Sequence, residues 1–180
     1  MYQKNHQFSI ALKLIHKALV ACSCKDIENM WITLNTKLGV GGLLPATGHQ
    51  FNGKTVLEKQ QCFGIPPGWL DHYMAQNYHT VDPILCYALW TKKPFHWQQV
   101  FQHYDSALLD NLPELKKASG YNGFAYGCRI GSGGRTIAIT SICLKSKQST
   151  IGQRKIIYHI LPHLNAIMPR PGFMPAAKLS

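Results

Sequence analysis

Two apolar, β-branched runs, residues 124–130 and 136–144, are separated only by Gly131-Ser132-Gly133-Gly134-Arg135, and this arrangement reads as an antiparallel hairpin. The turn lacks the Gly-Lys-Ser/Thr ending of a phosphate-binding loop and joins two strands, so its glycines serve backbone angles with positive φ. The hairpin must be covered on its faces, and the rest of the chain supplies helices for that purpose. Residues 7–22 place Phe8, Leu12, Ile15, Leu19 and Cys22 at helical spacing, which predicts an amphipathic helix laying that stripe on a core. Residues 26–37 read as a second helix entered through Asp26 as N-cap, with residues 29–34 on its apolar side.

Residues 38–44 read as a strand ended by Pro45, and a further extended run is expected near 55–63. Gly64-Ile65-Pro66-Pro67-Gly68 then punctuates the chain before a helix starting at Trp69. Residues 84–90 read as a short helix, and residues 105–118 as a longer one stopped by Ser119-Gly120-Tyr121-Asn122-Gly123. Residues 150–168 read as the final helix. The order of helices, strands, helices, strands and helix predicts an α/β chain of the α+β kind. Its expected architecture is an α-β-α sandwich, with a central antiparallel sheet of about five strands flanked by helices on both faces. Residues 1–168 are expected to form one domain, and residues 169–180 read as a linker by composition.

A chain of 180 residues can bury a substantial core without metal or disulfide staples. Six scattered cysteines with no Cys-x-x-Cys pair suit a reducing compartment, so a cytoplasmic location is expected. The formal net charge of +11 favours polyanions in general, but the basic residues are spread along the chain and no recognition-helix signature is visible. Direct nucleic-acid binding by these residues is therefore not expected. Leu19-Val20-Ala21-Cys22 imitates a lipoprotein cleavage site, yet Lys13, His16 and Lys17 interrupt the apolar run a signal peptide needs, and no run is long enough to span a membrane.

The segment with the most chemical content runs from Trp69 to Trp97. Trp69 and Tyr73 are four apart and share a helix face, and Asp82 precedes Pro83, which biases it to an extended or turn geometry. Tyr78 and Pro94-x-x-Trp97 complete the set. The segment resembles the signal-binding domain of LuxR-type quorum-sensing transcription regulators, whose hallmark is a Trp, a Tyr four residues on, a later Tyr, an Asp-Pro and a Pro-x-x-Trp. Gly42-Leu43-Leu44-Pro45 upstream and Ser141 downstream extend the likeness over roughly residues 7–168.

The resemblance implies a non-enzymatic sensor that binds an N-acyl homoserine lactone, with no other cofactor, no catalytic residues and no metal ligands. Such a ligand offers two carbonyl acceptors and an amide donor, and a buried site must answer each because an unpaired group costs about 1–3 kcal/mol. An indole only donates and an ionised carboxylate only accepts, so Trp69 suits the lactone carbonyl and Asp82 the amide N–H, as the resemblance also implies. By the same likeness Ser141 serves the amide carbonyl, while Tyr73, Tyr78 and Trp97 line the pocket through ring area, with Val40, Gly42 and Ile84 nearby. One position departs from the pattern. Ile65 stands where the family commonly has a Tyr that adds a second donor to the amide carbonyl, which leaves that carbonyl to Ser141. The resemblance further implies a homodimer, no membrane contact, and DNA binding only through a helix-turn-helix domain outside this chain, the likeness breaking off at Lys178-Leu179-Ser180 where such a domain would begin.

Three other readings compete. Cys86 beside a histidine could form a nucleophile pair, but no orienting group or oxyanion loop is legible. His159 and His163 have the spacing of metal ligands, with His72, His79 and Cys86 as further donors, but Pro162 lies between them and no zinc-protease glutamate accompanies them. A ligandless interaction or dimerisation module of the same fold is the remaining alternative.

Overall fold

A computed structural model of the chain describes residues 2–51, 54–103, 122–130, 133–170 and 173. The expected hairpin is formed by β4 (Gly123–Ile130) and β5 (Thr136–Leu144), paired from Gly123↔Cys143 to Ile130↔Thr136, with Gly134 at φ +58° in the turn. It is the centre of a five-stranded antiparallel sheet in the order β2-β1-β5-β4-β3, completed by β1 (Val40–Phe51), β2 (Lys54–Gln60) and β3 (Phe95–His96). The expected helix at 105–118 lies outside the described residues.

Pro45 does not end β1. Leu43 exchanges both backbone hydrogen bonds with Phe63, so the amide groups of Leu44 point toward β5 and those of Pro45 point back toward the segment after β2. There the Pro45 carbonyl accepts from Gln61 N at 3.1 Å, and only the N–H that proline lacks goes unused. That side is where the ladder is already irregular: β2 stops at Gln60, short of the expected Phe63, which is joined to Leu43 by an isolated bridge.

One face of the sheet is covered by α1 (Tyr2–Val20), α2 (Cys24–Leu38) and α6 (Ile151–Asn165). Leu14, Ile27, Met30 and Leu34 meet Leu43, Phe124 and Ile142 from the strands and Ile157, Ile160 and Leu161 from α6. The expected stripe of α1 is rotated. Ala11, Leu14, Ala18 and Ala21 are buried, whereas Phe8, Leu12 and Leu19 are 67%, 50% and 59% exposed, because the alanines let α1 lie close against the core and the bulky residues fall beside the contact. The N-cap of α2 is Ser23, not Asp26. Asp26 occupies the third helical position and closes a capping box, its carboxylate accepting from Cys22 N, Ser23 N and Ser23 Oγ, contacts that hold its carboxyl below the usual range. Helix α6 is capped the same way by Thr150 and Gln153. Packing continues past Met168: Phe173 is buried in this core, and Arg170 Nη1 donates to the carbonyls of Ala18, Leu19 and Ala21 at the end of α1.

The opposite face carries α3 (Trp69–Ala75), a 3₁₀ turn (Tyr78–Thr80), α4 (Pro83–Trp90) and α5 (Trp97–Phe101). With helices on both faces, the sandwich expected from the order of elements is the fold observed.

Candidate functional site

On this second face the strands present small residues. Alternation places Gly42, Leu44 and Ala46 of β1 beside Ile139, Ser141 and Cys143 of β5, and the paired residues of β4 are Gly123, Ala125 and Gly127. Three glycines of this floor allow three close approaches. A Cβ on Gly123 would stand 2.1 Å from the Trp97 indole, one on Gly127 would stand 2.8 Å from the Ala88 carbonyl of α4, and one on Gly42 would stand 3.2 Å from Ile65 Cγ1. The helices and the indole therefore rest directly on backbone at the edges. Between them lies a cavity of about 490 Å³. That falls within the range of small-molecule sites.

The polar groups of the wall are few and fixed. Asp82 caps α4, its Oδ1 accepting from Ile84 N at 2.7 Å, while its Oδ2 accepts from the Tyr73 hydroxyl at 2.7 Å. Burial pushes the Asp82 carboxyl above its ordinary value, opposed by the Tyr73 hydrogen bond and by the amides of Ile84 and Leu85. Burial, and then the neighbouring Asp82 charge, push the Tyr73 phenol well up, so Tyr73 stays protonated and is the donor of the pair. A carboxylate has about four lone-pair sites. The Tyr73 hydroxyl and the amides of Ile84 and Leu85 use at most three of these, which leaves Asp82 able to accept from a molecule in the cavity.

Trp69 stacks on Tyr73 with ring centroids 5.1 Å apart, four residues on as helical spacing requires. Trp97 begins α5 and is held from two sides: by Gly123 beneath and by His96, whose Nδ1 accepts from Gln98 N while its Nε2 donates to Asn122 Oδ1 at 2.7 Å. Its indole Nε1 is buried without a hydrogen-bond partner among the described residues.

Of the residues singled out in the sequence, Trp69, Tyr73, Asp82, Ser141, Trp97, Ile65, Ile84 and Gly42 all line this cavity. Two do not. Tyr78 stands behind Tyr73, edge-on at 6.0 Å. Val40 lies on the other face of the sheet, in the helical core with Leu43, because the register slips between Val40 and Gly42 and the bulge reverses the alternation.

Residues 46–167 match the family model described as the autoinducer binding domain. The chain belongs to the autoinducer-binding domain family. Among solved structures it is similar to CepR2 from Burkholderia cenocepacia, described as an N-acylhomoserine lactone-dependent LuxR-family transcription factor, at 12% identity and a TM-score of 0.64 over 93% of this chain and 96% of that one. It is also similar to Escherichia coli SdiA, with 13% identity and a TM-score of 0.57 over 91% of this chain and 71% of that one. A third likeness is to the ligand-binding domain of VqsR from Pseudomonas aeruginosa, at 14% identity and a TM-score of 0.58 over 91% and 97% of the two chains. These likenesses establish the fold. No curated protein matches the chain. The family match makes the chain an autoinducer-binding domain, and the cavity is its candidate signal site.

Several wall residues of this autoinducer-binding domain were not anticipated from its sequence: Leu44, Ala46, Leu57, Gln60, Leu85, Ile139 and Cys143. Alternation from Gly42 and Ser141 would have found Leu44, Ala46, Ile139 and Cys143. Gly123, His96 and Asn122 position Trp97, and nothing in their sequence surroundings marks them. No helix among the described residues is long and apolar enough to cross a membrane.

Proposed function

We propose that this autoinducer-binding domain receives an N-acyl homoserine lactone in the cavity beside Asp82. The observation that carries the reading is the Asp82 carboxylate, held by Tyr73 and Ile84 N in a mostly apolar chamber that also contains indole donors. An acceptor of that kind suits a secondary amide N–H, which an acyl lactone has and a fatty acid lacks. Trp69 Nε1–H is assigned to the lactone carbonyl and Ser141 Oγ to the amide carbonyl, with the acyl chain along Leu44, Ala46, Leu57 and Ile139. The description of CepR2 as acyl-lactone-dependent and a structure of SdiA holding octanoyl-rac-glycerol support a ligand with an acyl chain in this fold. The reading includes a cytoplasmic, homodimeric regulator whose DNA contacts are made by a separate helix-turn-helix domain, with the domain itself acting as receptor and not as enzyme.

Calorimetric titration with N-octanoyl homoserine lactone tests the assignment. Trp69→Phe keeps the ring and removes the donor, so affinity is expected to fall about two- to tenfold, in line with about 0.5–1.5 kcal/mol for one hydrogen bond. Unchanged affinity removes that role from Trp69.

A further inference from the structure

Gln60 closes the edge strand β2 and is paired with Ala46, which places its side chain on the cavity face of the sheet. Its Oε1 is buried and has no hydrogen-bond partner among the described residues. The surrounding wall is apolar: Ala46 beside it, Leu57 on its own strand, Ile139 beyond Ala46. An amide oxygen in such a wall is destabilising unless a donor reaches it. A lone water would need two to four polar partners there, and these neighbours provide none.

Building on the lactone reading above, we propose that Gln60 Oε1 receives a hydroxyl on the acyl chain of the signal, so the domain selects 3-hydroxyacyl over unsubstituted and 3-oxoacyl lactones. The discrimination follows from atom type. An amide oxygen only accepts. A chain hydroxyl donates to it, a chain ketone opposes it oxygen to oxygen, and a methylene leaves it unpaired. Distance agrees. Gln60 lies two strands across and two residues along from Ser141, or about 12 Å between Cα atoms at ordinary strand spacings. With both side chains reaching inward, the remaining gap suits a hydroxyl two carbons beyond a carbonyl held by Ser141.

The test uses the full chain and three probes, N-octanoyl, N-(3-hydroxyoctanoyl) and N-(3-oxooctanoyl) homoserine lactone, titrated calorimetrically against the unaltered protein and against Gln60→Leu. The hydroxylated probe is expected to bind about tenfold tighter than the unsubstituted one, with the keto probe weakest. In Gln60→Leu that order collapses, the hydroxylated probe losing about tenfold and the unsubstituted probe holding or gaining. Equal affinities in the unaltered protein, or an equal loss of all three probes in the variant, overturn the role of Gln60 and leave the lactone reading standing. If no probe binds the unaltered protein, the lactone reading falls and this inference falls with it. Should Gln60→Leu not fold, Gln60→Met serves in its place, and the order of the three probes on the unaltered protein decides by itself.

Discussion

The two faces of one sheet differ in what they are filled with. Toward α1, α2 and α6 the strands present Val40, Leu43, Phe124 and Ile142, all with no exposed surface, in a core of large interlocking side chains. Toward α3, α4 and α5 they present glycines, Ala46, Ala125, Ser141 and Cys143, and the space their side chains leave is the cavity. The buried carboxylate and two of the unpartnered polar atoms, Trp97 Nε1 and Gln60 Oε1, are on that second side. The larger buried apolar cluster thus lies against α1, α2 and α6, and the cavity face holds buried polar groups with hydrogen-bonding capacity to spare.

The comparison breaks most severely if the helical face is emptied. Phe124→Ala removes a fully buried ring that meets His96 and Tyr158 edge-on. It is expected to cost about 3–5 kcal/mol, or roughly 10 °C in Tm by calorimetry. Gly123→Ala adds a methyl where the Trp97 indole lies, so it should cost about 1–3 kcal/mol by overpacking and reduce lactone affinity more than tenfold in titration. A variant that binds normally would show that Trp97 is not part of the receptor surface.

Asp82→Asn sharpens the contrast, because stability and binding should move apart. The folded-state pKa of Asp82 is raised by burial, so the folded protein holds this proton more tightly than the unfolded chain. Its contribution to stability is complete below the unfolded value near 3.8 and is lost as pH rises through the folded pKa. Where the carboxylate is ionised it therefore costs stability. The asparagine variant still caps α4, so its Tm is expected to equal or exceed that of the unaltered protein, with lactone affinity down about tenfold. A pH titration of binding should show affinity of the unaltered protein falling as Asp82 takes up its proton, and a flatter profile for the variant. The smallest effect belongs to Ser141→Ala. Folding stability should change by no more than about 0.5 kcal/mol, and affinity should fall about two- to tenfold.

Much of this contrast was legible in the sequence. The hairpin, the helix opening at Trp69 and the short helix after Asp82-Pro83 are local patterns, set by turn chemistry and ring spacing, and eight singled-out residues line one cavity. What was hidden depends on contacts distant in sequence. Val40 and Gly42 share parity, and only the pairing with β5 reveals the bulge that separates them. Hydrophobicity selected Phe8, Leu12 and Leu19 as the core stripe of α1, but helix packing chose the alanines beside them. Gln60 carries no mark in the sequence, and it is the pairing with Ala46 that turns it inward.

The most direct measurement is thermal unfolding of this domain across a panel of acyl homoserine lactones of increasing chain length. A saturable rise in Tm is expected for one window of chain lengths, equivalent to about 2.7 kcal/mol at a free ligand concentration one hundred times Kd. An unchanged Tm across the whole panel, from a sample in which mass spectrometry finds no small molecule already bound, would contradict it.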